Sequence, residues 1–168
     1  MRAVTADSMK RVVVLGRGGA GKSTASTRLS QITGLPLIEL DTHFWSPALT
    51  PLSTAAWIKG QRQLAEADQW IMDGGLGPYD APEPRLARAD TVLLFDFSLT
   101  RCAWNAVRRS RERFDFWWWL FTWRVRYRRQ TLAAIDRHAP TAKLALLHSP
   151  SEVRAFLAAA SNEHEPPC

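Results

Sequence analysis

Gly16-Arg17-Gly18-Gly19-Ala20-Gly21-Lys22-Ser23 fits the pattern G-x-x-x-x-G-K-[ST] residue for residue. The residue types have a chemical logic. A polyphosphate needs several donors converging on a small volume, and backbone amides supply them where no Cβ intervenes. Gly16, Gly18, Gly19 and Gly21 remove that Cβ and permit positive φ. A helix starting near Lys22 would direct its positive dipole end at the anion. The Lys22 ammonium can reach the β- and γ-phosphates, and the Ser23 hydroxyl can ligate Mg2+. Ala20 and Thr24 complete the stretch expected to line the phosphates. The structural alternative is a glycine turn between a strand and a helix. The apolar Val12-Val13-Val14-Leu15 run before it argues for the phosphate loop.

Other chemistry-bearing residues stand just after apolar runs. In open α/β sheets ligands bind at the C-terminal ends of strands, which singles out Asp41, Asp73, Asp96 and His148. Asp41 can orient an acceptor hydroxyl and take its proton during phosphoryl transfer. Its competing role is an Asx cap on the following segment. His43 lies beside it, and a lone histidine there more often serves structure. Asp73 follows Trp70-Ile71-Met72 and can hold Mg2+ directly or through water, unless Asp73-Gly74 is only a turn. Asp96 falls inside an apolar run and is assigned to structure.

Half of the 18 arginines lie between Arg101 and Arg129. On a helix, Arg101, Arg108 and Arg111 share one face approximately, with Arg109 and Arg113 on another. Arg108 and Arg109 are the candidates to stabilise transition-state charge; a solvated basic face is the alternative for each. Phe114-Asp115-Phe116-Trp117-Trp118-Trp119-Leu120-Phe121-Thr122-Trp123 is apolar on every helical face. It suits a lid, an extra core helix or a homodimer patch. The flanking Arg124, Arg126, Arg128 and Arg129 admit contact with nucleic acid or a membrane surface.

The elements that must position these groups alternate between strand and helix, which argues for a parallel sheet covered by helices. A helix over about 22–33 puts Ala25, Leu29 and Ile32 on one face, with Gly34 ending it. A strand over 35–40 delivers Asp41 to Trp45. Ser53 or Thr54 caps a helix over about 55–67, with Trp57 and Leu64 inward. A strand at 70–72 ends on Asp73, and 76–84 is a loop. A short helix over 85–88 precedes a strand over 91–97, after which a long helical region begins. A fifth strand covers 143–147. Ser149, Pro150 and Glu152 then form an N-cap, a first helical residue and a capping box.

A chain of 168 residues suits one domain, assigned to 10–160, with a loose tail over 1–9 and a frayed one over 161–168. The net charge of +6 suits a phosphate-rich ligand or nucleic acid. Cys102 and Cys168 make no disulfide or metal framework, which indicates a reducing, cytoplasmic compartment. No apolar run approaches the ~20 residues of a transmembrane helix.

Taken together, these stretches resemble the small P-loop kinases of the adenylate-kinase-like superfamily. Within it they look most like the DNA topology modulation proteins and adenylate-kinase-like ATP-binding proteins. The resemblance rests on Gly16–Ser23, on Ile38-Glu39-Leu40-Asp41-Thr42-His43-Phe44-Trp45, on Trp70-Ile71-Met72-Asp73-Gly74, and on Ala89-Asp90-Thr91-Val92-Leu93-Leu94 before an Arg-rich helix. It covers most of residues 10–160. It implies an α/β P-loop NTPase sandwich of three layers, with a five-stranded parallel sheet in the order 2-3-1-4-5. It also implies a helical lid over about 99–138, and use of ATP and Mg2+. Small kinases for shikimate, gluconate or antibiotic hydroxyls carry an acceptor-binding Asp after strand two, which Asp41 matches. Adenylate kinases follow their Asp-Gly with Phe-Pro-Arg, whereas Gly75-Leu76-Gly77 follows here, which argues against AMP. The expected activity is Mg-ATP-dependent phosphoryl transfer to a small nucleotide, nucleoside or hydroxyl metabolite. The alternative is a nucleotide-binding regulator touching nucleic acid through the Arg- and Trp-rich segment.

Overall fold

The computed structural model describes residues 9–44, 50–75, 80–98 and 127–164. Five parallel strands form one sheet: β1 (Arg11–Gly16), β2 (Leu37–Glu39), β3 (Trp70–Asp73), β4 (Thr91–Phe95) and β5 (Lys143–Leu147). Their spatial order is β2-β3-β1-β4-β5, the order the family resemblance implied. The described helices are α1 (Lys22–Thr33), α2 (Leu40–Phe44), α3 (Thr54–Ala65), α4 (Glu83–Leu86), α5 (Arg128–His138) and α6 (Pro150–His164).

The alternation of β1 divides the core. Val12 and Val14 face α1 and α6, packing with Leu29, Ile71, Leu93, Phe95 and Ala160. Val13 and Leu15 face the other way, toward Trp57, Leu86 and Ile135 of α3, α4 and α5. Both faces of the sheet are therefore covered, and β1, β3 and β4 are buried throughout or nearly so. Met9 is also buried, so the core takes in a residue that the sequence assigned to the tail.

Several boundaries differ from the sequence reading. The second strand is only Leu37–Glu39, and Leu40–Phe44 turns into one turn of helix. The fully buried Leu40 explains the switch: its Cβ lies against Gly74, 2.9 Å from where a side chain would begin there. The short helix begins at Glu83 instead of 85, because Pro84 suits the first helical turn. The fourth strand stops at Phe95, leaving Asp96 just beyond it. The last helix extends to His164, through part of the expected tail. Ser53 caps α3 by accepting from the Ala56 N–H at 3.3 Å, and Trp57 is buried as anticipated, with Leu64 half-buried.

Candidate active site

The glycine loop is held by the sheet beneath it. Gly16 pairs with Phe95 in register, at φ 134°, and a Cβ on it would stand 2.4 Å from the Phe95 carbonyl oxygen. No side chain other than hydrogen fits without moving β4. Gly21 caps α1 in the left-handed region at φ 82°, and no side chain makes a capping hydrogen bond there. Gly21 itself therefore offers the first-turn amides no capping side chain in place of an anion. The Lys22 ammonium folds over the loop and donates to the Arg17 carbonyl at 3.1 Å. Ser23 and Thr24 are exposed in the first turn of α1, whereas Gly18 and Ala20 are buried and Gly19 half-buried.

Register brings the acids to the same edge. Asp73 pairs with Val14 on one side and Glu39 on the other, so it sits two residues below the level of Gly16. Asp73 is buried, and its Oδ1 makes no hydrogen bond. A buried carboxylate oxygen without a donor is costly unless a cation or water completes it. Asp41 stands in the first turn of α2, two residues beyond Glu39. Solvent reaches its side chain, yet the cleft crowds it, and this partial desolvation is the chief cause lifting its pKa. Lys22 opposes the rise, while Asp73, Asp80 and Glu39 add to it. Asp41 therefore lies within electrostatic reach of both Lys22 and Asp73.

Among the described residues, no group of three or more His, Cys, Asp or Glu could hold a metal by itself. A Mg2+ ion bound through phosphate oxygens and water needs only one or two protein ligands. The unpartnered Asp73 oxygen and the Ser23 hydroxyl fit that requirement.

Three neighbours of the glycine loop and the β3 end escaped the sequence reading. Arg17 is buried and donates to the Phe97 carbonyl at 3.4 Å, tying the glycine loop to the end of β4. Asp80 grips Arg85 through both oxygens, at 3.0 and 2.7 Å. Arg85 also donates to the Gly74 carbonyl at 3.2 Å and to Gln61 Oε1, and Gln61 donates to the Ala81 carbonyl at 2.8 Å. This buried network fixes the chain that leaves β3. A cavity of about 210 Å3 opens beside it, between Gly16, Gly75, Asp80, Glu83, Tyr127 and Gln130.

Asp96 accepts from Arg128 Nε at 2.8 Å through one oxygen, with His148 Nδ1 at 3.7 Å, while its buried Oδ1, like that of Asp73, makes no hydrogen bond. His148 stands at the end of β5, and His43 lies exposed on α2. Arg108, Arg109, the Phe114–Trp123 segment, and most of the expected lid lie outside the described residues. No helix among the described residues is long and apolar enough to cross a membrane.

No protein-family model matches the chain, and no curated protein matches it. Solved structures do match across most of its length. A gluconokinase from Sinorhizobium meliloti 1021 is 18% identical, with a TM-score of 0.57, covering 91% of this chain and 92% of that one. A shikimate kinase from Bacteroides thetaiotaomicron is 12% identical, with a TM-score of 0.58 and coverage of 90% and 96%. A shikimate kinase from Acinetobacter baumannii in complex with shikimate is 14% identical, with a TM-score of 0.56 and coverage of 90% of each chain. The chain has the fold of these small P-loop kinases.

Proposed function

We propose that this protein is a Mg2+-dependent phosphotransferase that moves the γ-phosphate of ATP to a small hydroxyl-bearing acceptor. The observation that carries the proposal is the placement of Asp41 and Asp73 just past β2 and at the end of β3, beside the glycine loop, with Asp41 within electrostatic reach of Lys22 and Asp73. The fold is shared with proteins named gluconokinase and shikimate kinase, which supports a small-molecule acceptor.

Each residue has a defined task. The amides of Gly16 to Thr24 hold the triphosphate, and Lys22 leaves Arg17 to contact the β- and γ-phosphates. Ser23 and Asp73 would hold Mg2+, which when bound offsets charge on the phosphate oxygens. Asp41 accepts the proton of the acceptor hydroxyl. The acceptor oxygen forms a bond to the γ-phosphorus, the bond to the bridging oxygen breaks, and ADP leaves. Arg108 and Arg109 are proposed to stabilise the transferring charge. The narrower kinship with topology modulation and adenylate-kinase-like proteins rests on the Ile38–Trp45 and Trp70–Gly74 motifs. Gly75, where adenylate kinases carry the Phe of Phe-Pro-Arg, disfavours AMP. ATP as donor and the scarcity of cysteine fit a cytoplasmic enzyme.

Coupled ADP release across nucleotides, nucleosides, polyols and hydroxy acids tests this reading. Acceptor-dependent turnover is expected, falling about 10²–10³-fold in Lys22→Ala, the scale of losing one preorganised transition-state donor. Undiminished turnover in that variant would contradict the assignment.

A further inference from the structure

We infer that the cavity beside Gly16 and Gly75 receives the acceptor, and that it selects neutral or cationic hydroxyl compounds, polyols or amino alcohols, over acceptors bearing carboxylate or phosphate, with Asp80 and Glu83 setting that preference. The inference rests on the phosphotransferase reading and names the acceptor class for the same site.

The cavity adjoins the glycine loop through Gly16 and the end of β3 through Gly75. Its polar lining is Asp80, Glu83, Tyr127, Gln130 and Thr131, and none of the described residues lining it is cationic. Asp80 keeps 12% of its side chain accessible, while Arg85 behind it keeps none. The buried guanidinium thus fixes the carboxylate from the protein side, leaving Asp80 the accessible member of the pair at the cavity wall. A carboxylate is an acceptor only, and each oxygen keeps a lone pair after its bond to Arg85. Its complement is a hydroxyl or an ammonium. Glu83 is exposed on α4 and adds a second negative group to the wall. Asp80 also acts on the proton acceptor: it helps raise the pKa of Asp41, against the larger opposing influence of Lys22. An acid group on the acceptor would stand against these charges and lose affinity by like-charge repulsion.

The Arg85 network gives the arrangement its rigidity. Arg85 joins Asp80 to Gly74, the residue after Asp73, and Gln61 braces Arg85 from α3. The carboxylate that meets the acceptor and the strand end that faces the phosphates are thereby held in one frame. A purely structural Asp80–Arg85 pair would produce no dependence on acceptor charge, and this difference makes the inference testable.

The test uses three six-carbon acceptors that differ chiefly in charge: gluconate, sorbitol and glucamine, with AMP as a phosphate-bearing probe. Turnover is followed by ADP release, and binding by the thermal shift each compound adds to that of Mg-ADP. Sorbitol and glucamine are expected to exceed gluconate and AMP by at least about tenfold in kcat/KM, or to give the larger shifts, because like-charge juxtaposition is strongly disfavoured. Glu83→Lys should narrow or reverse the ranking, and Asp80→Asn should do the same where it folds. Glu83→Lys alone decides the matter if Asp80→Asn does not fold. Preference for gluconate or AMP, no discrimination in either readout, or a ranking unmoved by Glu83→Lys overturns the inference. Preference for gluconate or AMP would leave the kinase reading standing. Failure of Mg-ADP alone to shift the melt would overturn both.

Discussion

The Asp41 carboxylate is lifted above its ordinary value of 3.8 by partial desolvation first, with Lys22 opposing and Asp73, Asp80 and Glu39 adding. A carboxyl whose pKa is higher in the folded state favours folding when protonated. That contribution is fully present below the unfolded value and is lost as pH rises through the folded one. At neutral pH, ionised Asp41 therefore works against stability while serving as proton acceptor. Asp41→Asn is expected to raise Tm at pH 7 and to lose that advantage as the pH approaches 3.8. The same variant should lose about 10²–10⁴ in kcat, the usual contribution of a positioned base. Parallel melts and ADP-release assays check both, and a lowered Tm at pH 7 would contradict the electrostatic picture. Gly16 to Ser23, Asp41 and Asp73 were legible because their signal is local: a spacing, or a place after an apolar run. Arg17, Asp80 and Arg85 were not, because Arg17 finds Phe97 and Arg85 finds Gln61 across 80 and 24 residues.

Helix α6 shows a local rule operating with a shift of one residue, the return bond reaching His148 and not the N-cap Ser149. Ser149 Oγ accepts from the Glu152 N–H at 3.3 Å, and the Glu152 carboxylate returns to the His148 N–H at 2.9 Å. The Glu152 pKa is lowered chiefly by that backbone bond; desolvation is the next influence and opposes it, while Ser149 and the His148 charge lower it further. A lowered carboxyl pKa gives stability present above its ordinary value of 4.5 and lost as pH falls through the folded value. Ser149→Ala is expected to cost about 1 kcal/mol near neutral pH, the typical loss of an N-cap. Denaturant melts should show the deficit shrinking in acid. An unchanged midpoint would mean that α6, packed on α1, does not need its cap. Helix α2 taught the opposite lesson. Leu35 to Leu40 reads as one apolar strand, and periodicity cannot separate a short strand from a turn of helix. Leu40 packs closely against Gly74, a tertiary neighbour that local periodicity does not disclose.

Across the whole molecule, the chain leaves β1 toward β2 and β3 on one side and reaches β4 and β5 on the other. The crevice at such a reversal is where open α/β sheets bind ligands. Alternation of strand and helix disclosed the parallel sheet, whereas the strand order came from family resemblance. Spacing alone does not say which strands pair. Arg85 joins α3, α4 and the end of β3, so its removal should be felt globally. Arg85→Met would leave Asp80 and Gln61 without their buried partner. We expect a loss of about 3–5 kcal/mol, as for one partner of a buried pair, read by urea unfolding. A loss under about 1 kcal/mol would place the pair among exposed bridges of little worth.

The central claim is that the glycine loop holds a triphosphate beside Asp73 and Asp41. Calorimetry with a non-hydrolysable ATP analogue and Mg2+ tests it most directly. One-to-one binding, weakened by Lys22→Ala and dependent on Mg2+ through Asp73, is the predicted result. No heat from the wild-type protein, or equal binding by Lys22→Ala, would contradict it.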